Sequence, residues 1–408
     1  MTRRVVITGV GLTSPIGNSL AEVSASLREG RHGIVQMPEW SRIENLLTRL
    51  AGEVKGIDLE QWPRKKVRSM GRVSLLATYA TEQAVQDAGL EPGVLESGDV
   101  GLAYGSTHGS SSALEQFCRT IFQNNSLRGL PSSAYLKFMS HTTAANLALF
   151  YGLQGRVVTT CSACVSASQG IGYGYEAVKY GMQEVMICGG AEELHFVHAG
   201  VFDIMYATST RYNDRPDLSP RPFDRERDGL VVGEGAGTFV LESLERATKR
   251  GAKIYGEVLG YGTNCDGTHV TSPSVHGMAD AMRRALRDAK ISPEQIDYIN
   301  AHATATDVGD ICESTAVMDV LGDRVPISST KGFTAHTLGA CGAIEAAFCL
   351  AAMHDRFLPP NKNLDEVDPR CAPLAYVRGA PREARPTIVM SNNFAFGGIN
   401  TSLIFQKM

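Results

Sequence analysis

VSASQGIGYGYEAVKYGMQEVMICGGAEE, residues 165–193, places a helical pattern directly before a stretch that looks like a buried strand. The helical pattern covers 165–182 and the strand-like run covers 184–193. A second helical pattern at 74–90 ends at Gly89. Further strand-like runs occur at 3–11, 99–106 and 236–243. This alternation of strands and helices predicts an α/β fold, in which helices cover a parallel sheet.

The second part of the chain repeats the same rhythm. Its strand-like runs are 252–262, 296–305, 325–332, 387–398 and 401–407. Two similar halves, 1–250 and 251–408, therefore indicate an internal duplication. No low-complexity linker separates them, so we expect one compact unit.

Composition narrows the class of protein. The 408 residues are 43% hydrophobic and 20% charged, which is typical of a globular chain with a large core. The net charge of −4 gives no general attraction to nucleic acid. The N-terminal run is broken by glycine and proline, unlike a signal peptide, and no apolar stretch predicts a membrane span. Nine scattered cysteines argue against a disulfide framework and for a reducing cytoplasm.

Cys161 and Cys164 form a C-x-x-C pair whose residues alone leave several interpretations open. A zinc site needs further cysteine or histidine ligands; His195 and His198 are three apart but have no cysteine beside them. A redox pair would need a thioredoxin-like context. Cys164, just before a helical pattern, could instead be a nucleophile whose pKa the helix terminus lowers. Both residues could also be small core side chains.

Two further stretches carry histidines among small residues. NAHATATDVGDICE (300–313) has His302 at the end of a probable strand, and SSTKGFTAHTLGACGAIEAAF (328–348) carries Lys331, His336 and Glu345. Ligands bind at the carboxyl edge of parallel α/β sheets, where both stretches are expected. A nucleophilic cysteine needs such partners.

Five motifs in order resemble those of the β-ketoacyl-acyl-carrier-protein synthases, the elongating condensing enzymes of fatty acid and related polyketide synthesis. They span essentially the whole chain: SACVSASQGIG (162–172), RPFDRERDGLVVGEGAG (221–237), HATATDVGD (302–310), STKGFTAHTLGACG (329–342) and SNNFAFGGIN (391–400). The resemblance implies the thiolase fold, with two pseudo-symmetric α/β halves in a five-layered αβαβα unit. It also implies a homodimer and no cofactor. No residue is assigned as a metal ligand, and the sequence leaves open whether a monovalent cation binds.

By this resemblance Cys164, and not Cys161, is the nucleophile. It would take an acyl chain from acyl carrier protein and condense it with malonyl-acyl-carrier-protein, with loss of CO2. Cys161 would be a packing residue. His302 and His336 would be the catalytic histidines that support decarboxylation.

The resemblance assigns roles to other residues as well. Lys331 would orient the site electrostatically, with Glu345 as its ion partner. The alternative is that Lys331 and Glu345 form a buried ion pair with no chemical role. The backbone N–H groups of Cys164 and Phe396 would form an oxyanion hole, Phe396 would act as a gate, and Gly397 and Gly398 would permit close backbone approach.

Substrate and partner contacts follow from the same match. Thr304 and Thr306 would bind the pantetheine arm, and Asp310 and Glu313 would support the His302 loop. The carrier protein is acidic, so it needs a basic surface, which PRKKVRSMGR (63–72) offers through Arg64, Lys65, Lys66, Arg68 and Arg72. The alternative for this stretch is a solvated basic helix start.

The chain departs from the family pattern at four positions. Ala303 and Ala395 stand where glycine is usual, and Ile399 stands where threonine is usual. His108 occupies a position that borders the acyl pocket, where a small or aliphatic residue is usual. We therefore expect a preference for shorter, polar or unsaturated acyl chains.

Three other assignments compete with the synthase. A degradative thiolase needs a second catalytic cysteine near the C-terminal glycine motif, and SNNFAFGGIN has none. Initiating synthases use a Cys-His-Asn set, which two active histidines do not match. A chain-length-factor-like partner subunit would not catalyse, but such subunits lack the cysteine that Cys164 provides.

Overall fold

The computed structural model describes residues 2–408 as sixteen strands and fourteen α-helices. The strands are β1 (Val5–Thr13), β2 (Ile34–Gln36), β3 (Leu50–Gly52), β4 (Val100–Gly105), β5 (Val157–Thr160), β6 (Val185–Glu192), β7 (Val232–Gly233), β8 (Gly235–Ser243), β9 (Gly256–Cys265), β10 (Tyr298–Asn300), β11 (Pro326–Ser328), β12 (Phe357–Leu358), β13 (Ala375–Tyr376), β14 (Arg382–Glu383), β15 (Ile388–Phe394) and β16 (Ile399–Gln406). The helices are α1 (Leu20–Glu29), α2 (Arg64–Val67), α3 (Arg72–Ala88), α4 (Pro92–Leu95), α5 (Ser111–Asn124), α6 (Ala134–Phe138), α7 (Thr142–Tyr151), α8 (Ser166–Lys179), α9 (Phe196–Asp203), α10 (Leu244–Lys249), α11 (Val275–Ala289), α12 (Asp307–Leu321), α13 (Lys331–Thr334) and α14 (Cys341–Asp355).

The central sheet repeats one strand order twice. In the first half the order is β1-β8-β6-β4-β5, and in the second it is β9-β16-β15-β10-β11, with β13 at the edge. Equivalent neighbours also pair in the same directions: two antiparallel pairs are followed by two parallel pairs in each half. β1 pairs with β9 and joins the halves.

The two halves of the central sheet and the helices on and between them form five layers. α8 and α14 pack against each other between the halves, α3 and α7 cover the outer face of the first, and α11 covers the second beside α12. The predicted five-layered α/β architecture is therefore confirmed. The expectation of a parallel sheet holds for β4, β5, β6, β10, β11 and β15 where they pair with one another, and it is wrong for β1, β8, β9 and β16, which run antiparallel to their neighbours.

The middle layer forms the core and carries the site. α14 is buried along nearly its whole length, which follows from its alanine-rich, apolar sequence. The stretch Leu338–Asp355 is long and apolar enough to cross a membrane by length and composition, but 89% of it is buried inside the protein, as in a core helix. The predicted helix at 74–90 corresponds to α3, which ends at Gly89 in the left-handed conformation.

Candidate active site

Cys164 lies in a sharp turn between β5 and α8. Ala163, directly before it, has φ +48°, a left-handed conformation that costs a non-glycine residue about 1–2 kcal/mol. Such strain persists where the surrounding packing enforces it, and it is typical of functional turns. The turn leaves the Cys164 side chain buried, at the N-terminal end of α8.

Two histidines from the second half meet this cysteine. The Nε2 atom of His336 lies 3.0 Å from the Sγ atom of Cys164. The ring of His302 stands nearly perpendicular to that of His336, with the ring centres 5.1 Å apart. One donor atom from each of the three residues lies within 4.8 Å of the other two. The structure thus brings together the three residues that the sequence predicts as catalytic.

Burial sets the charge state of this trio. It is the main cause that lowers the pKa of His302 and of His336 well below 6.5, and the Lys331 ammonium lowers both further. Both imidazoles are therefore neutral near pH 7. Burial also raises the pKa of the Cys164 thiol to about 12, against a smaller opposing effect of Lys331. The expected lowering by the helix terminus is wrong, because desolvation of the thiolate is larger.

Lys331 and Glu345 form a fully buried ion pair beside the trio. The Nζ atom of Lys331 donates to Oε1 of Glu345, and Asn393 donates to Oε2 at 2.7 Å. Burial is the largest single effect and lowers the pKa of Lys331, but the attractions of Glu345, Cys341 and Glu313 together outweigh it, and the net pKa is raised. Lys331 therefore keeps a positive charge at the site.

Two buried carboxylates hold the loop that follows β10. Glu313 accepts hydrogen bonds from the N–H groups of His302 (2.8 Å) and Ala303 (2.6 Å). Asp310 accepts from the N–H groups of Ala305 (3.1 Å) and Phe223 (2.7 Å). These bonds fix the backbone that carries His302, as the sequence predicts for this loop.

The glycine-rich loop after β15 closes one side of the site. Gly397 and Gly398 both have positive φ (+88° and +72°), which glycine adopts readily. A Cβ atom at Gly398 would lie 2.3 Å from Oδ1 of Asp266, so only glycine fits there. The Phe396 ring packs against Phe202, with ring centres 5.4 Å apart.

A cavity of about 610 Å³ opens onto the trio, a size typical of sites for small organic ligands. Thr304 and Thr306 line it, with their hydroxyl oxygens 3.1 Å apart, and Phe396 and Gly398 also line it. Its other lining residues include Cys164, His302, His336, Phe202, Asp266 and His269. Neither His108 nor Ile399 belongs to this lining in the single chain.

His108 instead belongs to a hydrogen-bonded cluster with Ser111 and His198. The hydroxyl of Ser111 lies 2.8 Å from Nε2 of His108 and 2.7 Å from Nε2 of His198. His198 is one turn before Phe202 on α9, so both lie on the same face of that helix. The cluster therefore shares a helix face with one lining residue, Phe202, without lining the cavity itself.

The basic stretch predicted for docking is split by the structure. Arg64, Lys65, Lys66 and Arg68 are exposed on and beside α2, and within residues 2–408 none of them forms an ion pair. Arg72 is different, because its guanidinium binds the buried Glu234 carboxylate at 2.6 and 2.7 Å. Arg72 therefore stabilises the fold instead of offering a free charge. Cys161, predicted as a packing residue, is exposed.

Glu192 is a site residue that the motifs did not indicate. It is fully buried at the end of β6, and its Oε2 accepts the N–H groups of Thr107 and Gly339, each at 3.0 Å. It thereby ties the loop after β4 to the segment that follows His336. The sequence signal that could have indicated Glu192 is the pair of acidic residues, Glu192 and Glu193, at the carboxyl end of a predicted strand.

The depressed histidine pKa values predict acid sensitivity. Below pH 6.5 the unfolded chain protonates His302 and His336 while the folded chain does not, so stability falls as pH falls. At pH 5.5 we expect a loss of about 1.4 kcal/mol per histidine relative to pH 7.5, measured by denaturant unfolding. His302→Asn should reduce this loss, whereas His276→Asn, at an exposed position on α11, should not. Identical pH dependence in all three proteins would contradict the prediction.

Family comparisons agree with this geometry. The family "Beta-ketoacyl synthase, N-terminal domain" matches residues 2–247, and "Beta-ketoacyl synthase, C-terminal domain" matches residues 255–365. The chain is similar to the 3-oxoacyl-[acyl-carrier-protein] synthase 1 of Haemophilus influenzae, with 38% identity over 99% of each chain. The resemblance inferred from the motifs is therefore confirmed.

Solved structures give the same result for the fold. A beta-ketoacyl synthase from Burkholderia phymatum STM815 superimposes with a TM-score of 0.96 at 50% identity, covering 100% of both chains. The ishigamide ketosynthase/chain length factor gives a TM-score of 0.91 at 34% identity, again over 100% of both. The thiolase fold is thus confirmed, and the chain belongs to the beta-ketoacyl synthase family.

Proposed function

We propose that this chain is a 3-oxoacyl-[acyl-carrier-protein] synthase that works through an acyl-cysteine. The observation that carries the proposal is the 3.0 Å contact between Cys164 and His336, with His302 beside them at the base of the cavity. A nucleophile next to a base is the arrangement that covalent acyl transfer requires. The Haemophilus relative carries this activity in its name.

The first half-reaction transfers the acyl chain to the enzyme. As Sγ of Cys164 attacks the thioester carbonyl, its proton passes to Nε2 of His336. The backbone N–H groups of Cys164 and Phe396 stabilise the oxyanion; that of Phe396 makes no other hydrogen bond within residues 2–408. The C–S bond to the carrier breaks, and the carrier thiolate takes the proton from His336.

The second half-reaction extends the chain by two carbons. Malonyl-acyl-carrier-protein loses CO2, and the resulting enolate attacks the carbonyl of the acyl-Cys164 thioester. The C–S bond to Cys164 breaks, and the thiolate takes a proton from solvent. His302, as a neutral ring, donates one N–H to the enolate oxygen, and such a donor contributes about 3 kcal/mol. His336 donates a second N–H in the neutral tautomer that carries its proton on Nε2, in place of the tautomer that acts as the base in the first half-reaction.

Other residues support these steps. Lys331, held by Glu345, favours the developing negative charge, and Thr304 and Thr306 bind the pantetheine arm in the cavity. Residues 1–250 supply the cysteine half, and residues 251–408 supply the histidines, the lysine and the gate.

We place the enzyme in the cytoplasm, in fatty acid or related polyketide or polyene synthesis.

A homodimer is part of the proposal. Large apolar side chains that a second copy would cover are exposed on α5, on the edge strand β5 and on and after α9: Phe122, Val157, Ile204 and Tyr206. The alternative, a non-catalytic chain-length-factor-like subunit, is disfavoured because Cys164, His302, His336 and Lys331 are all present.

The proposal is tested by a complete condensation assay. The protein is mixed with acyl- and malonyl-acyl-carrier-protein, and mass spectrometry follows the product while CO2 is measured separately. We expect a 3-oxoacyl product two carbons longer, with one CO2 for each product. CO2 release without chain extension, or neither product, would overturn the proposed function.

Carrier docking gives a further prediction. The exposed charges of Lys65 and Arg68 should attract the acidic carrier, so replacing both with Glu should lower kcat/KM for acyl-carrier-protein about 10-fold at low salt. The effect should shrink at high salt and be absent with a small acyl-thioester substrate. Lys249→Glu, an exposed charge reversal on α10, is the control. Equal losses with carrier-bound and small substrates would contradict docking.

The acyl preference should depend on His108. By the family resemblance His108 borders the acyl pocket, where a long saturated chain would desolvate the polar cluster of His108, Ser111 and His198. We expect His108→Gly to shift the profile of accepted chains toward longer saturated ones, while His108→Asn keeps the original preference. An unchanged chain-length profile in His108→Gly would show the idea to be wrong.

A further inference from the structure

The catalytic trio also has the donor set and spacing of a metal site. Thiolate and imidazole are the ligands that zinc-class cations prefer, with bond lengths that place neighbouring donors about 3.3–3.6 Å apart in a tetrahedral site. Here one separation is 3.0 Å, and all three lie within 4.8 Å. Small side-chain shifts would therefore bring the three donors to bonding distance, and the cavity supplies room for water as the fourth ligand.

The backbone already holds these donors in place. Glu313 accepts a hydrogen bond from the backbone N–H of His302, and the backbone N–H of His336 donates to the Val231 carbonyl at 2.7 Å. Both rings are more than nine-tenths buried, with exposed fractions of 9% and 2%, and Nδ1 of each has no hydrogen-bond partner within residues 2–408. The unpartnered Nδ1 of His336 lies on the ring edge opposite Nε2, so the buried Nε2 atom beside Sγ of Cys164 is the one that would bind a cation there.

The local charge balance also permits a cation. Lys331 is the nearby positive charge, but Glu345 binds it directly. Glu192 and Glu313 are also buried nearby, but burial raises the pKa of each to about 8, so both are mostly neutral near pH 7 and the compensation comes from Glu345. The site is therefore not a region of uncompensated positive charge.

We propose that Cys164, His302 and His336 bind one soft divalent cation of the zinc class and that this cation reversibly inactivates the enzyme. A metal–sulfur bond forms as the S–H bond of Cys164 breaks, and the proton goes to solvent. The metal-bound sulfur cannot attack a thioester, so metal and acyl group compete for the same atom. The inactivation rests on the proposed function, whereas the binding does not.

Co2+ is the probe for the test, because thiolate-bound tetrahedral Co2+ has a characteristic absorption that structural damage alone does not produce. We expect the metal-free protein to bind one Co2+ with a thiolate-to-cobalt band that Zn2+ removes by displacement. Cys161→Ser, three residues away and exposed, should keep the band. Cys164→Ser should lose it, and His302→Asn should weaken Co2+ binding at least about 10-fold.

Acylation of Cys164 distinguishes a failure of the proposed metal site from a failure of the proposed function. Without metal, intact mass reports acylation of Cys164 by an acyl-carrier-protein thioester; with Zn2+ it should be suppressed, and a chelator should restore it. A band without acylation in the metal-free protein would support the site and count against the proposed function. Absence of the band in the wild type, or its survival in Cys164→Ser, would overturn the metal site.

Discussion

Replacing Cys164 with alanine is expected to abolish the acyl-enzyme and to lower condensation at least about 10⁴-fold, as removal of a nucleophile does in comparable enzymes. No other thiol can substitute. Cys341 is buried, and its Sγ donates to the Cys164 carbonyl at 3.2 Å, whereas Sγ of Cys161 donates to the Thr107 carbonyl and does not line the cavity. Intact-mass spectrometry after mixing with acyl-carrier-protein thioesters of several lengths measures the result.

Cys161→Ala is the matched control for this experiment. It should gain one acyl mass like the wild type, and the chain lengths that acylate fastest should be the same. An acyl group on Cys161, or acylation that persists in Cys164→Ala, would contradict the assignment of the nucleophile. No acylation of the wild type by any chain would favour the non-catalytic partner subunit.

Lys331→Met should have the largest effect on stability. The substitution removes the partner of Glu345 and leaves a buried carboxyl group without its counter-charge, which costs about 3–5 kcal/mol. Denaturant unfolding should show this loss as a lower midpoint. Condensation should also fall, because the positive charge beside Cys164 and the histidines is gone.

Combining Lys331→Met with Glu345→Gln separates structure from chemistry. The amide has no charge to compensate and keeps an acceptor for Asn393, so most of the lost stability should return. Condensation should stay low, because the charge of Lys331 is not restored. Recovery of both stability and condensation in the double variant would mean that the ion pair is purely structural.

Local sequence features were sufficient for many of the strands and helices and for the choice of candidate site residues. The strands β1, β4, β6 and β8 and the helices α3 and α8 lie where apolar spacing predicts them, because burial on one or both faces imposes a period that a single segment displays. The five motifs identified Cys164, His302, Lys331 and His336, each of which lies at the site.

Strand direction was not predicted. β8 and β16 run antiparallel to their neighbours, although the alternation of elements predicts parallel strands. β8 follows a long connection and could enter the sheet from either end, so its pairing with β1 and β6 decides its direction. The segment from 193 to 231, which contains α9, comes before β7 and β8 and does not specify the direction of β8. β16 instead follows β15 through the short turn 395–398, and such a hairpin connection makes the two strands antiparallel.

The sequence by itself determined the family, the order of many of the strands and helices, and which side chains are candidates for the chemistry, because these depend on residue type and on local spacing. Only the tertiary structure decided their surroundings. Cys164 and His336 are 172 positions apart, and Arg72 is 162 positions from Glu234. The raised pKa of Cys164 and the neutral histidines result from desolvation by atoms of many distant segments, which no single segment encodes.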